Sequence, residues 1–181
     1  LLTTLEHHAN IVPWQQLAAE RGVEIRWIPI TIEGRLDLTD LDVLVDGVKL
    51  VAVTAASNVT GAMPPLRHLA DAAHAVGAKI LVDATQWTPH LPTDVVAWDA
   101  DFVVITAHKM CGPTGIGALW GRRDLLEAMP PFLGGGSMIQ NVTLDGFTPA
   151  EVPTRFEAGT QPIAEIIGWH AAIIFLEGLG M

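Results

Sequence analysis

The sequence predicts an α/β fold: a largely parallel sheet with helices on both faces. Three observations predict it. Leu50–Thr54 (LVAVT), Lys79–Asp83 (KILVD) and residues 101–106 (DFVVIT) are short apolar runs of the kind buried on both faces of a sheet. Helical segments alternate with them, and such a rhythm implies parallel strands joined by helical crossovers. Prolines and glycines punctuate the boundaries, as expected where Pro opens a helix and Gly closes it.

The elements follow in order. Asn10 is placed to cap a first helix with Pro13 in its first turn; Trp14, Leu17 and Ala18 then share one face, and Gly22 ends it. Residues 23–30 read as a strand, with Val23, Ile25 and Trp27 alternating, and 36–45 as a loop or short helix. LVAVT is next, then a polar loop over 55–63. Pro64 and Pro65 start a helix that runs through Val76 and stops at Gly77. KILVD, 101–106 and 116–120 are further strands, and 122–129 is a short helix. Residues 130–153, rich in Gly and Pro, read as an extended loop or hairpin, and helix resumes near Ile163. No repeat or low-complexity stretch interrupts this order.

Length and composition set bounds. The 181 residues suit one domain with one sizeable core. Half the residues are hydrophobic and 17% are charged, a globular composition. A formal charge of −10 argues against a nucleic-acid partner, since phosphate binding needs clustered Lys and Arg. The single cysteine, Cys111, excludes an intrachain disulfide and fits a reducing compartment. No apolar run reaches the ~18 residues of a membrane span. A cytoplasmic protein with no membrane association is expected. The chain opens at Leu1 and stops at Met181 within an apolar helical pattern (Ile173, Ile174, Leu176, Leu179), and is read as an internal piece of a longer protein.

In open parallel sheets, ligands sit outside the carboxyl ends of the strands. That rule singles out Ser57 and Asn58, Asp83 to Gln86, and Thr106 to Lys109. Asp83, ending an apolar strand, reads either as a turn aspartate or as a charged partner in a pocket. Lys109, just past another strand, reads either as a loop lysine or as an amine held in the same pocket. A lysine amine forms a Schiff base with an aldehyde cofactor, and pyridoxal phosphate (PLP) also needs an acidic partner for its ring nitrogen. Thr106 and Thr160 are candidate hydroxyls for its phosphate. The His7–His8 pair has no companion cluster at ligand spacing, so no metal is expected. Gly134–Gly136 lacks a strand leading in and a helix leading out, so it is not a phosphate loop. Cys111, inside HKMCGP, is expected to be a small packing residue.

EHHANIVPW (6–14), SNVTG (57–61), VDATQ (82–86), TPHLPTDV (88–95), HKMCGPTGIG (108–117), GGGSMI (134–139) and RFEAGT (155–160) occur in one order along the chain. In this they resemble the SufS-like cysteine desulfurases and selenocysteine lyases of the class V aminotransferase group. The resemblance spans nearly the whole chain. It implies the PLP-binding large domain of a fold type I enzyme over 1–181, with an N-terminal segment and a C-terminal small domain elsewhere. It implies that Lys109 carries PLP as a Schiff base, Asp83 pairs with the pyridinium nitrogen and Gln86 bonds the ring hydroxyl. It further implies that His7 stacks on the ring and moves protons, and that Asn58 contacts the cofactor or the substrate carboxylate. Thr106 and His108 would hold the phosphate, and Thr160 would reach the phosphate of the neighbouring subunit in a homodimer.

The implied activity is sulfur removal from L-cysteine, giving L-alanine and a persulfide for an acceptor protein and for iron–sulfur cluster assembly or another sulfur-transfer pathway. The chain departs from the family pattern in VDATQ for the commoner VDGAQ, in Ala55 and Ala56 before SN, and in Thr106 where Ser is usual. The cysteine and arginine that the family uses near its C-terminus are expected outside these residues, so the 181 residues alone are expected to be inactive. A selenocysteine lyase, another class V PLP enzyme and a non-catalytic doubly wound binding domain are the alternatives.

Overall fold

A computed structural model describes residues 1–180. Six strands form one sheet: β1 (Leu2–Thr3), β2 (Trp27–Ile28), β3 (Leu50–Thr54), β4 (Lys79–Asp83), β5 (Phe102–Thr106) and β6 (Gly117–Gly121). Their spatial order is β2-β1-β3-β4-β5-β6. Every pairing is parallel except β5–β6, which is antiparallel. The helices are α1 (Val12–Arg21), α2 (Leu41–Val45), α3 (Leu66–Ala75), α4 (Arg123–Ala128) and α5 (Ile163–Gly178). Residues 130–153 contain a separate hairpin of β7 (Ile139–Val142) and β8 (Phe147–Pro149).

Side chains alternate across a strand with period two, and that alternation separates core from site. Val51 and Val53 of β3, Ile80 and Val82 of β4 and Val103 of β5 join one apolar cluster with Leu41, Val45, Leu66 and Leu69 of α2 and α3. The intervening residues, Thr54, Leu81, Asp83, Val104 and Thr106, face the opposite side, where the start of α1 and a cavity lie. α2 and α3 thus cover one face, and the start of α1 stands over the other.

The amino ends of the central strands are closed by charge. Asp101, 1% exposed, accepts from the Ile80 N–H at 2.8 Å and pairs with His74 Nε2 at 2.8 Å. Arg122 bridges this carboxylate and that of Asp99. Charge and hydrogen bonding are concentrated here because a buried carboxylate must be partnered.

Three expectations change. The strand expected over 23–30 pairs only at Trp27–Ile28, because its partner β1 is two residues long and Pro29 has no N–H to extend the ladder; Val23 is 48% exposed. Asn10 does not cap α1. Ile11 stands at the cap without a side-chain bond, and Asn10 lies in a 3₁₀ turn over His8–Asn10. Cys111 is exposed and left-handed (φ 57°), so it is not a packing residue. Its turn is packed instead through Gly112, where an added Cβ would lie 2.9 Å from the Ala107 carbonyl and 3.2 Å from Trp169 Cδ1 of α5.

Candidate active site

At the carboxyl ends of β3, β4 and β5 the structure opens a cavity of about 550 Å³, a size suited to a cofactor or drug-sized ligand. Its floor is the alternating set Thr54, Leu81, Asp83, Val104 and Thr106, and its walls include His7, Trp14, Asn58, Gln86, His108 and Lys109. Seven of the eight residues to which the resemblance gives a cofactor role thus line one space. Thr160 does not: it is exposed, in the segment that meets the Gly-rich loop, where Gly159 N–H donates to the Gly136 carbonyl at 2.9 Å.

Each side chain is set by local structure. Asp83 ends β4; its Oδ1 accepts the Thr85 N–H at 3.0 Å, as an aspartate does in an Asx turn. Its other oxygen has no protein partner among the described residues. Ala84 N–H bonds the Val104 carbonyl, so the chain leaves the sheet with Asp83 held in its pleat. Lys109 closes a 3₁₀ turn, Ala107–Lys109, that follows β5. Ala107 is fully buried and anchors this turn, while Lys109 itself is exposed at the cavity mouth. Thr106 Oγ1 and His108 Nδ1 lie 2.9 Å apart, so these two act as a unit on the same wall.

His7 caps the following turn: its Nδ1 accepts the Ala9 N–H at 3.1 Å. A backbone amide only donates, so in the neutral ring the proton sits on Nε2. Its ring centroid lies 5.9 Å from that of His8. Ser57, expected at the site, is buried and spent on its own loop, where Oγ accepts from the amides of Val59 and Thr60. Asn58, one residue on, reaches the cavity.

Four participants were not singled out from the sequence: Glu6, Asn10, Trp14 and Thr54. Glu6 is 7% exposed. Burial pushes its carboxyl up to about 7, with the charge of Asp83 adding to that and hydrogen bonds from Thr3, Thr54 and Asn10 opposing it. The sequence signal of three of them is spacing, and Thr54 ends the LVAVT strand. Glu6, Asn10 and Trp14 recur every four residues, the interval at which helical side chains stack.

The donor set fits PLP. An amine, a carboxylate with a free oxygen, an imidazole and a paired hydroxyl and imidazole converge on one concave space, the kinds of group that a cofactor with an aldehyde, a ring nitrogen and a phosphate would need. Among the described residues no group of three or more His, Cys, Asp or Glu is arranged to hold a metal ion.

The fold is a mostly parallel sheet with a lysine and an aspartate at neighbouring strand ends, and comparison gives its family. The structure superposes on the cysteine desulfurase CsdA of Escherichia coli, in its S-sulfonic acid form, with TM-score 0.94 and 41% identity over 97% of this chain and 44% of that one. The apo cysteine desulfurase of Thermococcus onnurineus gives TM-score 0.93 and 40% identity over 99% of this chain and 45% of that one. All of residues 1–181 match the Aminotransferase class-V family, and the chain belongs to it. It is 50% identical to a probable cysteine desulfurase of Streptomyces coelicolor over all of its own length and 44% of that protein's, and 50% identical to a cysteine desulfurase of Dickeya dadantii at the same coverage. The chain spans less than half the length of these relatives. No helix among the described residues is long and apolar enough to cross a membrane.

Proposed function

We propose that these residues form the PLP-binding part of the large domain of a cysteine desulfurase, with Lys109 as the residue that holds the cofactor. The observation that carries this reading is the convergence of Lys109, Asp83 and His7 on one cavity in a chain of the class V family. When bound, PLP supplies an electron sink for the bonds made and broken at the substrate's α-carbon. The chain's residues bind and orient it. Lys109 contributes the amine that takes its aldehyde. Asp83 would pair with the ring nitrogen through its free oxygen and favour its protonated form. Gln86 bonds the ring hydroxyl, and His7 stacks on the ring and relays protons at Nε2. Thr106 and His108 hold the phosphate, and Asn58 meets the cofactor or the substrate carboxylate. Thr160 acts on the phosphate in the neighbouring subunit of a homodimer.

The overall reaction takes L-cysteine and an enzyme thiol to L-alanine and a persulfide. Sulfur moves from substrate to thiol and no external oxidant is needed. Cys111 is not that thiol. It is held in a left-handed turn two residues past Lys109, whereas sulfur attack needs a thiolate placed at the substrate. Delivery of the persulfide to an acceptor for iron–sulfur cluster assembly in the cytoplasm completes the reading. The test is Lys109→Ala in the full chain: cofactor absorbance sensitive to borohydride and alanine production both disappear. Normal alanine production by that variant refutes the assignment.

A further inference from the structure

The cavity wall is held from below by a network that no cofactor role accounts for. Glu6 Oε1 accepts the Thr3 hydroxyl at 2.6 Å and the Thr54 N–H at 2.9 Å. Oε2 accepts the Asn10 amide nitrogen at 2.7 Å, and Trp14 Nε1 donates to Asn10 Oδ1 at 2.9 Å. The polarity of this chain is fixed. An indole N–H only donates, so Asn10 turns its oxygen to Trp14 and its NH₂ to Glu6. A backbone N–H only donates, so Thr54 does the same. The Thr3 hydroxyl accepts the Leu5 N–H at 3.2 Å and is free to donate to Glu6. Every neighbour of Glu6 is a donor, and the network is complete with an ionised carboxylate.

This arrangement is costly. Thr3 and Thr54 are neutral, and the charge acting on Glu6 from a neighbouring strand is Asp83 of β4, of the same sign. A buried carboxylate without a counter-ion is a poor way to hold a fold together. Its geometry shows what it holds. It ties β1, β3, the 3₁₀ turn and α1 to a single group, and that group is the residue before His7. Glu6 fixes the chain just before His7, the Ala9 N–H holds the His7 ring at Nδ1, and Trp14 stands on the same wall.

We propose that Glu6 is the positioning residue of this cavity: its carboxylate locks His7 and Trp14 against the end of β3 and so fixes the wall on which a bound cofactor ring rests. The inference depends on the PLP reading for its ligand, but the network itself is a property of the protein alone.

The polarity of the network supplies the test. In the full chain, Glu6→Gln turns an amide donor toward another donor, and Asn10→Asp sets two carboxylates face to face. Combined, they restore the match: the glutamine carbonyl accepts from Thr3 and Thr54, its NH₂ donates to the carboxylate introduced at position 10, and that carboxylate also accepts from Trp14. Three readouts are taken: hydrogen exchange at the Thr54 amide without PLP, the visible circular dichroism of bound PLP, and kcat and KM for L-cysteine. Each single variant is expected to speed exchange at Thr54, weaken the dichroism and lower kcat on the order of 10- to 100-fold with KM little changed. The double variant is expected to recover all three. Should Glu6→Gln alone not fold, the double variant carries the test and must fold with wild-type dichroism. Wild-type dichroism and kcat in folded Glu6→Gln overturn the proposal, as does a folded double variant that fails to recover. Failure of the PLP reading shows separately, as turnover retained by Lys109→Ala.

Discussion

Removing the Asp101 carboxylate should cost several kcal/mol without touching the site. The residue is 1% exposed and serves the amino end of the sheet, at the opposite end of β4 and β5 from the cavity. Asp101→Ala leaves the Ile80 N–H, on a fully buried residue, without its 2.8 Å side-chain acceptor; an unsatisfied buried donor costs about 1–3 kcal/mol. It also removes the 2.8 Å bond to His74, whose side chain is 27% exposed, and a charged hydrogen bond contributes about 1.5–3 kcal/mol before solvent screening reduces it. Arg122 and Lys79, 40% and 46% exposed at 3.4 and 4.0 Å, add less than about 1 kcal/mol. The total is about 3–5 kcal/mol, the usual cost of breaking a buried pair from one side. Asp101→Asn retains an acceptor for Ile80 and should lose about half as much. Urea unfolding of the full chain followed by tryptophan fluorescence measures both, and PLP absorbance in the folded protein should be unchanged. An alanine variant within about 1 kcal/mol of wild type would refute the reasoning.

On the proposed reading Asp83→Ala should lower kcat far more than it weakens PLP binding, because the carboxylate would serve the ring nitrogen while other residues hold the phosphate; a wild-type kcat would remove Asp83 from that role. Heterodimers of Lys109→Ala with Thr160→Ala chains should regain activity, since one of the two sites then keeps both residues; verified heterodimers without recovery would show that Thr160 serves its own subunit. Glu6 links stability to pH. Its folded carboxyl is raised from 4.5 to about 7, so between those values the folded protein holds a proton that the unfolded chain releases. Stability should therefore fall by about 3 kcal/mol as pH rises through that window and level off above it. Denaturation midpoints across the window check this, and Glu6→Gln should flatten the slope.

Much of the molecule was legible because strand ends are local. KILVD and DFVVIT announce buried strands, the residues that follow them must turn, and a parallel sheet puts those turns on one edge. Asn58, Asp83, Gln86, Thr106, His108 and Lys109 follow from that rule, while His7 needed the family's motifs. Element identity was legible in the same way, down to Gly22 and Gly77, whose positive φ ends a helix where the pattern stops.

Other features depended on contacts that no local pattern reports. The two-residue β1 became a strand only by lying between β2 and β3, and it cut the expected 23–30 strand to two residues. Strands buried on both faces have no polar alternation, so the sequence could not tell which of Leu81 and Val82 faces the cavity; the position of α3 decided it. The bond from Glu6 to the Thr54 amide spans 48 residues and that from Asp101 to His74 spans 27. Sequence by itself determined the chemistry available at the strand ends, because propensity and turn geometry act over a few residues. Only the tertiary structure decided which buried charges are partnered and which wall they hold, because a hydrogen bond needs its donor within about 3 Å and chain pairing alone brings such distant residues that close.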